Sequence, residues 1–232
     1  MILPLYALLF TLYAFPFTLH ASRNLVYVAS MSPLETLGFA LGTSFASGLN
    51  LYATVAAAGL FQRFGIVTLP EPLQILANPV VLGIALTLFL VEFIADKIPY
   101  VDSAWDAVHT FIRPPAAALL SYSAFAAGSV PEEWKLAAAL LAGSVALTSH
   151  GAKASTRAAA NASPEPISNW TLSLLEDGFA VFLAWMAAEH PLITALIVVV
   201  LVILAVFLIW KLFGYLRRAI AKLRSGPSPS VP

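Results

Sequence analysis

The chain contains no cysteine, and only 10% of its 232 residues are charged. The first absence excludes disulfides, thiolate metal sites and cysteine nucleophiles, and leaves the compartment open. The second excludes an ordinary soluble domain, whose charged content is about 25%. Lysine plus arginine equals aspartate plus glutamate, so the formal net charge is zero. Neither nucleic acid nor an acidic partner is indicated, and the placement of the charges carries the information. Enzyme signatures are missing as well: there is no GxSxG elbow, HExxH, P-loop or glycine-rich dinucleotide fingerprint.

What is present is apolar. Hydrophobic residues make up 60% of the chain and the mean hydropathy is +0.87, which predicts an all-α polytopic membrane protein. A helix needs about 20 apolar residues to cross a ~30 Å hydrocarbon core. Runs of that kind lie near 35–61, 75–95, 114–130, 136–151, 170–188 and 192–213, giving six core spans. The membrane domain is expected over 31–213, and a basic then Pro/Ser-rich tail over 214–232. Residues 1–30 form an apolar extension without the basic start of a secretory signal. They read as a seventh span, an uncleaved anchor, or sequence upstream of a start at Met31.

Two polar interruptions resemble each other. "LGTSFASGLNLYATVAAAG" and "AGSVALTSHGAKASTRAAAN" share a Gly-Ser/Thr step, a Ser ahead of a second Gly, a polar residue two positions on and an Ala run. Aligning Gly48 with Gly151 sets Asn50 against Lys153 and Thr54 against Arg157. Three spans per copy, 34–130 and 134–213, then thread the bilayer in opposite directions, which is an inverted repeat with interrupted helices. Residues four apart share a helix face, so Asn50, Thr54, Lys153 and Arg157 are expected to line a substrate-binding site in mid-bilayer, anion-attracting on one side. The simpler readings are close packing of small residues and snorkelling of Lys153 and Arg157 to the inner headgroups.

The stretch "EFIADKIPYVDSAWDAVHTFIRPP", residues 92–115, holds the densest run of ionisable groups. Asp102, Asp106, His109 and Arg113 fall on one helix face, opposite Val101, Trp105, Val108 and Ile112. This segment either lies flat at the inner interface or forms a cytoplasmic gate. Glu92, Asp96 and Glu176 are expected to be compensating or proton-coupled carboxylates. Glu176 and Asp177 also read as the acidic opening of the fifth span. Asp102 and Asp106 form a DxxxD that could hold Mg²⁺, with no second acidic pair at similar spacing to support it.

Ten of the 12 Lys and Arg residues fall on one side of a six-span arrangement, which places the C-terminus in the cytoplasm. Together with "LGFALGTSFASGLNLYATVAAAGL" and "SHGAKASTRAAANASPEPISN", the 92–115 stretch resembles the DUF4126 family of small bacterial integral membrane proteins, over about residues 34–190. That resemblance implies a bacterial inner-membrane setting and no mechanism. The expected function is a transporter or channel for a small polar or anionic solute or an ion, without a cofactor. A membrane enzyme acting on a lipid or isoprenoid phosphate, with a metal at Asp102 and Asp106, is the alternative, and a membrane scaffold the third. Partners are the bilayer and a small solute or ion, not nucleic acid; a homo-oligomer stays open.

Overall fold

The computed structural model describes residues 31–161 and 166–224. The apolar extension over 1–30 and the end of the tail lie outside the described residues. Among those described, regular structure is entirely helical: α1 (Pro33–Leu49), α2 (Leu51–Arg63), a 3-10 turn (Glu71–Ala77), α3 (Pro79–Ala95), α4 (Pro99–His109), α5 (Arg113–Ala126), α6 (Glu132–Asn161), α7 (Pro166–Glu189) and α8 (Pro191–Arg224). Two segments, Trp170–Glu189 and Pro191–Tyr215, are long and apolar enough on their own to cross a membrane. The pair Glu71–Ala77 and Pro79–Ala95, bent by 67°, passes the same test only when the two are taken together. The chain is therefore a helical membrane protein.

Helix α1 starts on a capping box. Ser32 Oγ accepts from the Glu35 backbone N–H, the Glu35 carboxylate accepts from the Ser32 N–H, and Pro33 occupies the first helical position. The helix ends at Asn50, whose backbone leaves the helical region at φ −148° and ψ 105°. Asn50 then acts twice. Its N–H donates to Ala46 O at 2.9 Å, ending α1, and its Oδ1 accepts from Ala53 N at 2.9 Å, starting α2. The expected interruption exists, two residues beyond Gly48.

After Asn50 the chain folds back. Phe39 and Thr43 of α1 share one cavity wall with Thr54 and Ala58 of α2. An unbroken helix would hold Phe39 and Ala58 about 28 Å apart. The expected single span over 35–61 is thus a helical hairpin with Asn50 at its elbow.

The second interruption is not found: α6 runs through Gly151 without a break for 30 residues. One glycine costs a helix only about 1 kcal/mol relative to alanine, and α6 recovers far more by packing on α1, α5 and α8. The relative direction of the two aligned segments also differs from expectation. Ser149 Oγ donates to Phe45 O and Lys153 Nζ to Leu49 O, and both pairs are 104 residues apart. A constant separation marks parallel helices, whereas oppositely threaded helices would keep a constant sum. Side by side, α1 and α6 run the same way.

Their close approach depends on Gly48, where a Cβ would collide with Ser149 Oγ and the Ala146 carbonyl. Around this crossing Phe45, Ala46, Leu49, Val145, Ala180, Leu183 and Val198 form a buried apolar core. Large side chains on α8 point outward instead: Leu196 is 68% exposed, Ile203 64% and Phe207 55%. An outward face of that kind suits lipid.

The contacts sort the helix ends into two levels. Pro33, the 3-10 turn and the α7–α8 junction lie at one, since Gly38 abuts Pro191, Gly59 abuts Leu76, and Phe39 packs with Leu73 and Ala187. Asn50, Glu92, Arg113, Lys153 and Asp177 lie at the other. That second level is also where Gly151 meets Ile209, about 27 Å along α8 from Pro191. The charged level therefore lies toward the C-terminal end of the apolar segment Pro191–Tyr215 of α8.

Removing the elbow side chain has a defined outcome. Asn50→Ala loses the cap on α2, worth about 1 kcal/mol, and the donor to Asp177. Asn50→Ser restores only the cap. The thermal midpoint of the detergent-solubilised protein is expected to fall for both, and further for alanine.

Candidate functional site

Three cations lie buried at the elbow, and each closes a helix end or a carboxylate. Arg113 begins α5 and is fully buried. Its Nη2 donates to Glu92 Oε1 at 2.6 Å, and its Nη1 donates to Gly48 O at 2.8 Å and to His150 Nδ1 at 2.7 Å. Lys153 lies one turn beyond Ser149 on α6. Its Nζ donates to Leu49 O and Asp96 Oδ2 at 3.1 Å and to Glu92 Oε1 at 3.3 Å, so all three ammonium protons have acceptors. Arg157, one turn further, donates through Nη1 to Asp96 O at 2.9 Å and through Nη2 to Asp96 Oδ2 at 3.1 Å and Glu176 Oε2 at 2.7 Å.

Arg113 and Lys153 therefore satisfy the last carbonyls of α1, and Arg157 that of the residue ending α3. Positive charge at a helix C-terminus is favourable because the unpaired carbonyls there carry partial negative charge. The break at Asn50 frees those carbonyls, so the elbow and the buried cations depend on each other.

Histidine tautomers follow from the partners. His150 Nδ1 faces an arginine donor and must accept, so its proton is on Nε2, aimed at Asp106 O at 3.0 Å. His109 Nδ1 lies 2.8 Å from Trp105 O, which can only accept, leaving Nε2 to accept from Tyr52 Oη at 3.1 Å. The His109 ring also stacks on Trp105 at 4.6 Å.

The acidic side of the cluster is larger. Glu92, Asp96, Asp102, Asp106, Glu176 and Asp177 all face these three cations or Asn50. Asp177 Oδ1 accepts from Asn50 Nδ2 at 2.8 Å. Glu92 Oε2, Asp96 Oδ1, Asp177 Oδ2 and both oxygens of Asp106 are buried without a hydrogen-bond partner among the described residues. A fourth cation, Lys97, stands at the rim, its Nζ 3.0 Å from the Phe93 ring centroid.

Several expectations change in this light. Asn50, Lys153 and Arg157 do come together, and Glu92, Asp96 and Glu176 pair with Lys153 and Arg157. Neither cation snorkels, since Lys153 is 2% exposed and Arg157 1%. Thr54 stands apart: its hydroxyl donates back to Asn50 O at 2.8 Å, and it lines the apolar wall opposite Phe39.

The polar face of α4 points inward. Asp102, Asp106 and His109 are buried, while Val108 is 57% exposed and Phe111, just past the helix, 81%. A helix lying flat with its acidic face in water is thereby excluded. Glu176 and Asp177 do not open their helix, because α7 begins at Pro166. Asp177 and His150 were the partners that sequence reasoning missed. Their signal was the ionisable pair Glu176–Asp177 and the unexplained His inside an apolar, Ala-rich segment.

Among the described residues no three His, Asp or Glu side chains converge as metal ligands. Asp102 and Asp106 turn to different partners, Arg157 at 3.8 Å and Arg113 at 3.7 Å. The two-carboxylate magnesium site finds no support in this arrangement.

No curated protein and no solved structure matches the chain. A family model does, the domain of unknown function DUF4126, over residues 37–211, a stretch that takes in every buried charge of the cluster. The chain belongs to the DUF4126 family.

Proposed function

We propose that this protein moves a small cation or proton across the bacterial inner membrane, with the charge cluster at the hairpin elbow as the site the ion passes. The carrying observation is the imbalance at that elbow: six buried or half-buried carboxylates face three buried cations, with Lys97 a fourth at the rim. Charge in a low-dielectric interior is expensive unless compensated. Excess carboxylate therefore favours a positive cargo and disfavours the anion expected from Lys153 and Arg157 alone, since both are consumed by internal partners. A helix interrupted inside the protein, with freed carbonyls beside ionisable side chains, is also how membrane proteins commonly build ion sites.

The membrane orientation belongs to the same reading. Lys97, Lys211, Arg217 and Arg218 lie toward the elbow level, and Arg63 and Lys135 toward the other. Positive residues remain on the cytoplasmic side, so the elbow and the C-terminal end of α8 face the cytoplasm. Arg113, Lys153 and Arg157 are paired inside the protein and carry little weight in that count.

Purified protein in liposomes tests the reading. Uptake of sodium or rubidium tracer and proton movement reported by trapped pyranine are expected to exceed those of protein-free liposomes. Glu92→Gln and Asp96→Asn are expected to abolish the excess while the protein remains monodisperse. Wild-type rates equal to empty liposomes for all three ions would overturn the proposal, as would undiminished flux in both variants. Chloride flux without cation flux would restore the anionic reading.

A further inference from the structure

The Lys153 ammonium sits inside a cage of oxygen atoms. Leu49 O and Asp96 Oδ2 are 3.1 Å from Nζ, Glu92 Oε1 is 3.3 Å and Glu176 Oε2 is 3.9 Å. One of these is a main-chain carbonyl released by the break at Asn50, and three are carboxylate oxygens. The cage oxygens come from α1, from α3 and the residue that caps it, and from α7, and the ammonium comes from α6.

We infer that this cage is a binding site for a small monovalent cation of the ammonium type, and that Lys153 is its tethered occupant. The inference rests on the proposed cation cargo for its functional meaning, and on geometry alone for the site.

Two observations separate this from an ordinary buried salt bridge. An ion pair needs one carboxylate, whereas the Lys153 ammonium has three within 3.9 Å, each shared with Arg113 or Arg157, and a helix-end carbonyl besides. Next, Glu92 Oε2 and Asp96 Oδ1, the second oxygens of the two closest carboxylates, are buried with no hydrogen-bond partner among the described residues. Glu92 is 0% exposed and Asp96 1%. Each of those two carboxylates thus keeps one oxygen that neither Lys153 nor the two arginines satisfies. Oxygen contacts at about 3 Å suit the N–H donors of ammonium and are too wide for magnesium, which requires about 2.1 Å.

A tethered occupant has a chemical consequence. With its stem anchored on α6, the Lys153 ammonium must leave the carbonyl and the carboxylates before a free cation takes its place. The exchange conserves charge, because one monovalent cation replaces another. Arg157, held to Asp96 and Glu176 from the other side, keeps the carboxylates in place during it.

Chemical complementation tests the site without measuring flux. Lys153→Ala removes the occupant and leaves the cage. Its thermal midpoint is expected to fall well below wild type, and to rise on adding ammonium or methylammonium chloride, with N-methylglucamine chloride at equal ionic strength having no such effect. Wild type, whose cage is filled, is expected to gain little from ammonium. Asp96→Asn in the Lys153→Ala background is expected to remove the ammonium response.

If no small cation raises the midpoint of Lys153→Ala, if N-methylglucamine does so equally, or if wild type responds as strongly, the inference is wrong. Should Lys153→Ala not be recovered folded in any buffer, Lys153→Ser, which also empties the cage and keeps its carboxylates, is measured in the same way, and the same three results overturn the inference. Ammonium binding to the variant with no cation flux in wild type would keep the site and remove the transport reading; flux without binding would do the reverse.

Discussion

Replacing Arg113 with methionine is expected to lower the unfolding free energy by about 3–5 kcal/mol, the usual cost of removing one member of a buried ion pair. Three partners are left at once. Glu92 Oε1 loses its 2.6 Å donor, Gly48 O loses the group that satisfied it, and His150 Nδ1 loses the proton that fixed its tautomer. The double variant Arg113→Met with Glu92→Gln is expected to be less damaging than the sum of the single changes, because the uncompensated carboxylate is gone. Denaturant or SDS titration of the four proteins gives the coupling directly. Additive effects would mean that Arg113 acts on α1 alone and that its pairing with Glu92 is incidental.

The second large effect concerns two glycines that look alike in sequence. Gly48→Ala is expected to cost about 1–3 kcal/mol, as overpacking does, since its new methyl collides with the main-chain oxygen of Ala146 and with Ser149 Oγ. Backbone cannot rotate away, so α1 and α6 must separate. That shift would also move Leu49 O from Lys153. Gly151→Ala meets only the terminal methyl of Ile209 at 3.3 Å, a flexible group that can yield, and alanine favours the helix. Its midpoint is expected to stay near wild type or rise. Equal losses at the two positions would contradict the parallel packing of α1 on α6.

The sequence shows which residues are out of place in an apolar chain, and the structure brings most of them together. Lys153, Arg157, Glu92, Asp96 and Glu176 were legible because an ionisable group in a membrane segment is costly enough to need a partner. What was not legible is direction. Composition marks a helix break at "SGLN" but does not say whether the chain continues or turns back, and that depends on Phe39 finding Ala58 and Leu73. Glycine misled in the other half, where α6 has neighbours enough to stay helical through Gly151. Amphipathicity identified the two faces of α4 correctly and assigned them to the wrong surroundings. In a membrane protein a polar face can point at a buried counter-charge while the apolar face meets lipid. Asp177 reads in the sequence as the acidic start of a helix and not as part of the cluster, because its partner is the uncharged Asn50, which charge arithmetic does not count.

The elbow at Asn50 also sets an order of assembly. Its two freed carbonyls are met by Arg113, 65 residues later, and by Lys153, 104 residues later. During synthesis the hairpin therefore leaves the ribosome long before the groups that make its tip tolerable in hydrocarbon. A nascent chain ending ahead of α6 must shelter that tip in water, headgroups or a chaperone. Docking α5 and α6 is thus the step that supplies those groups, across separations of 65 and 104 residues whose closure cost grows only slowly with length.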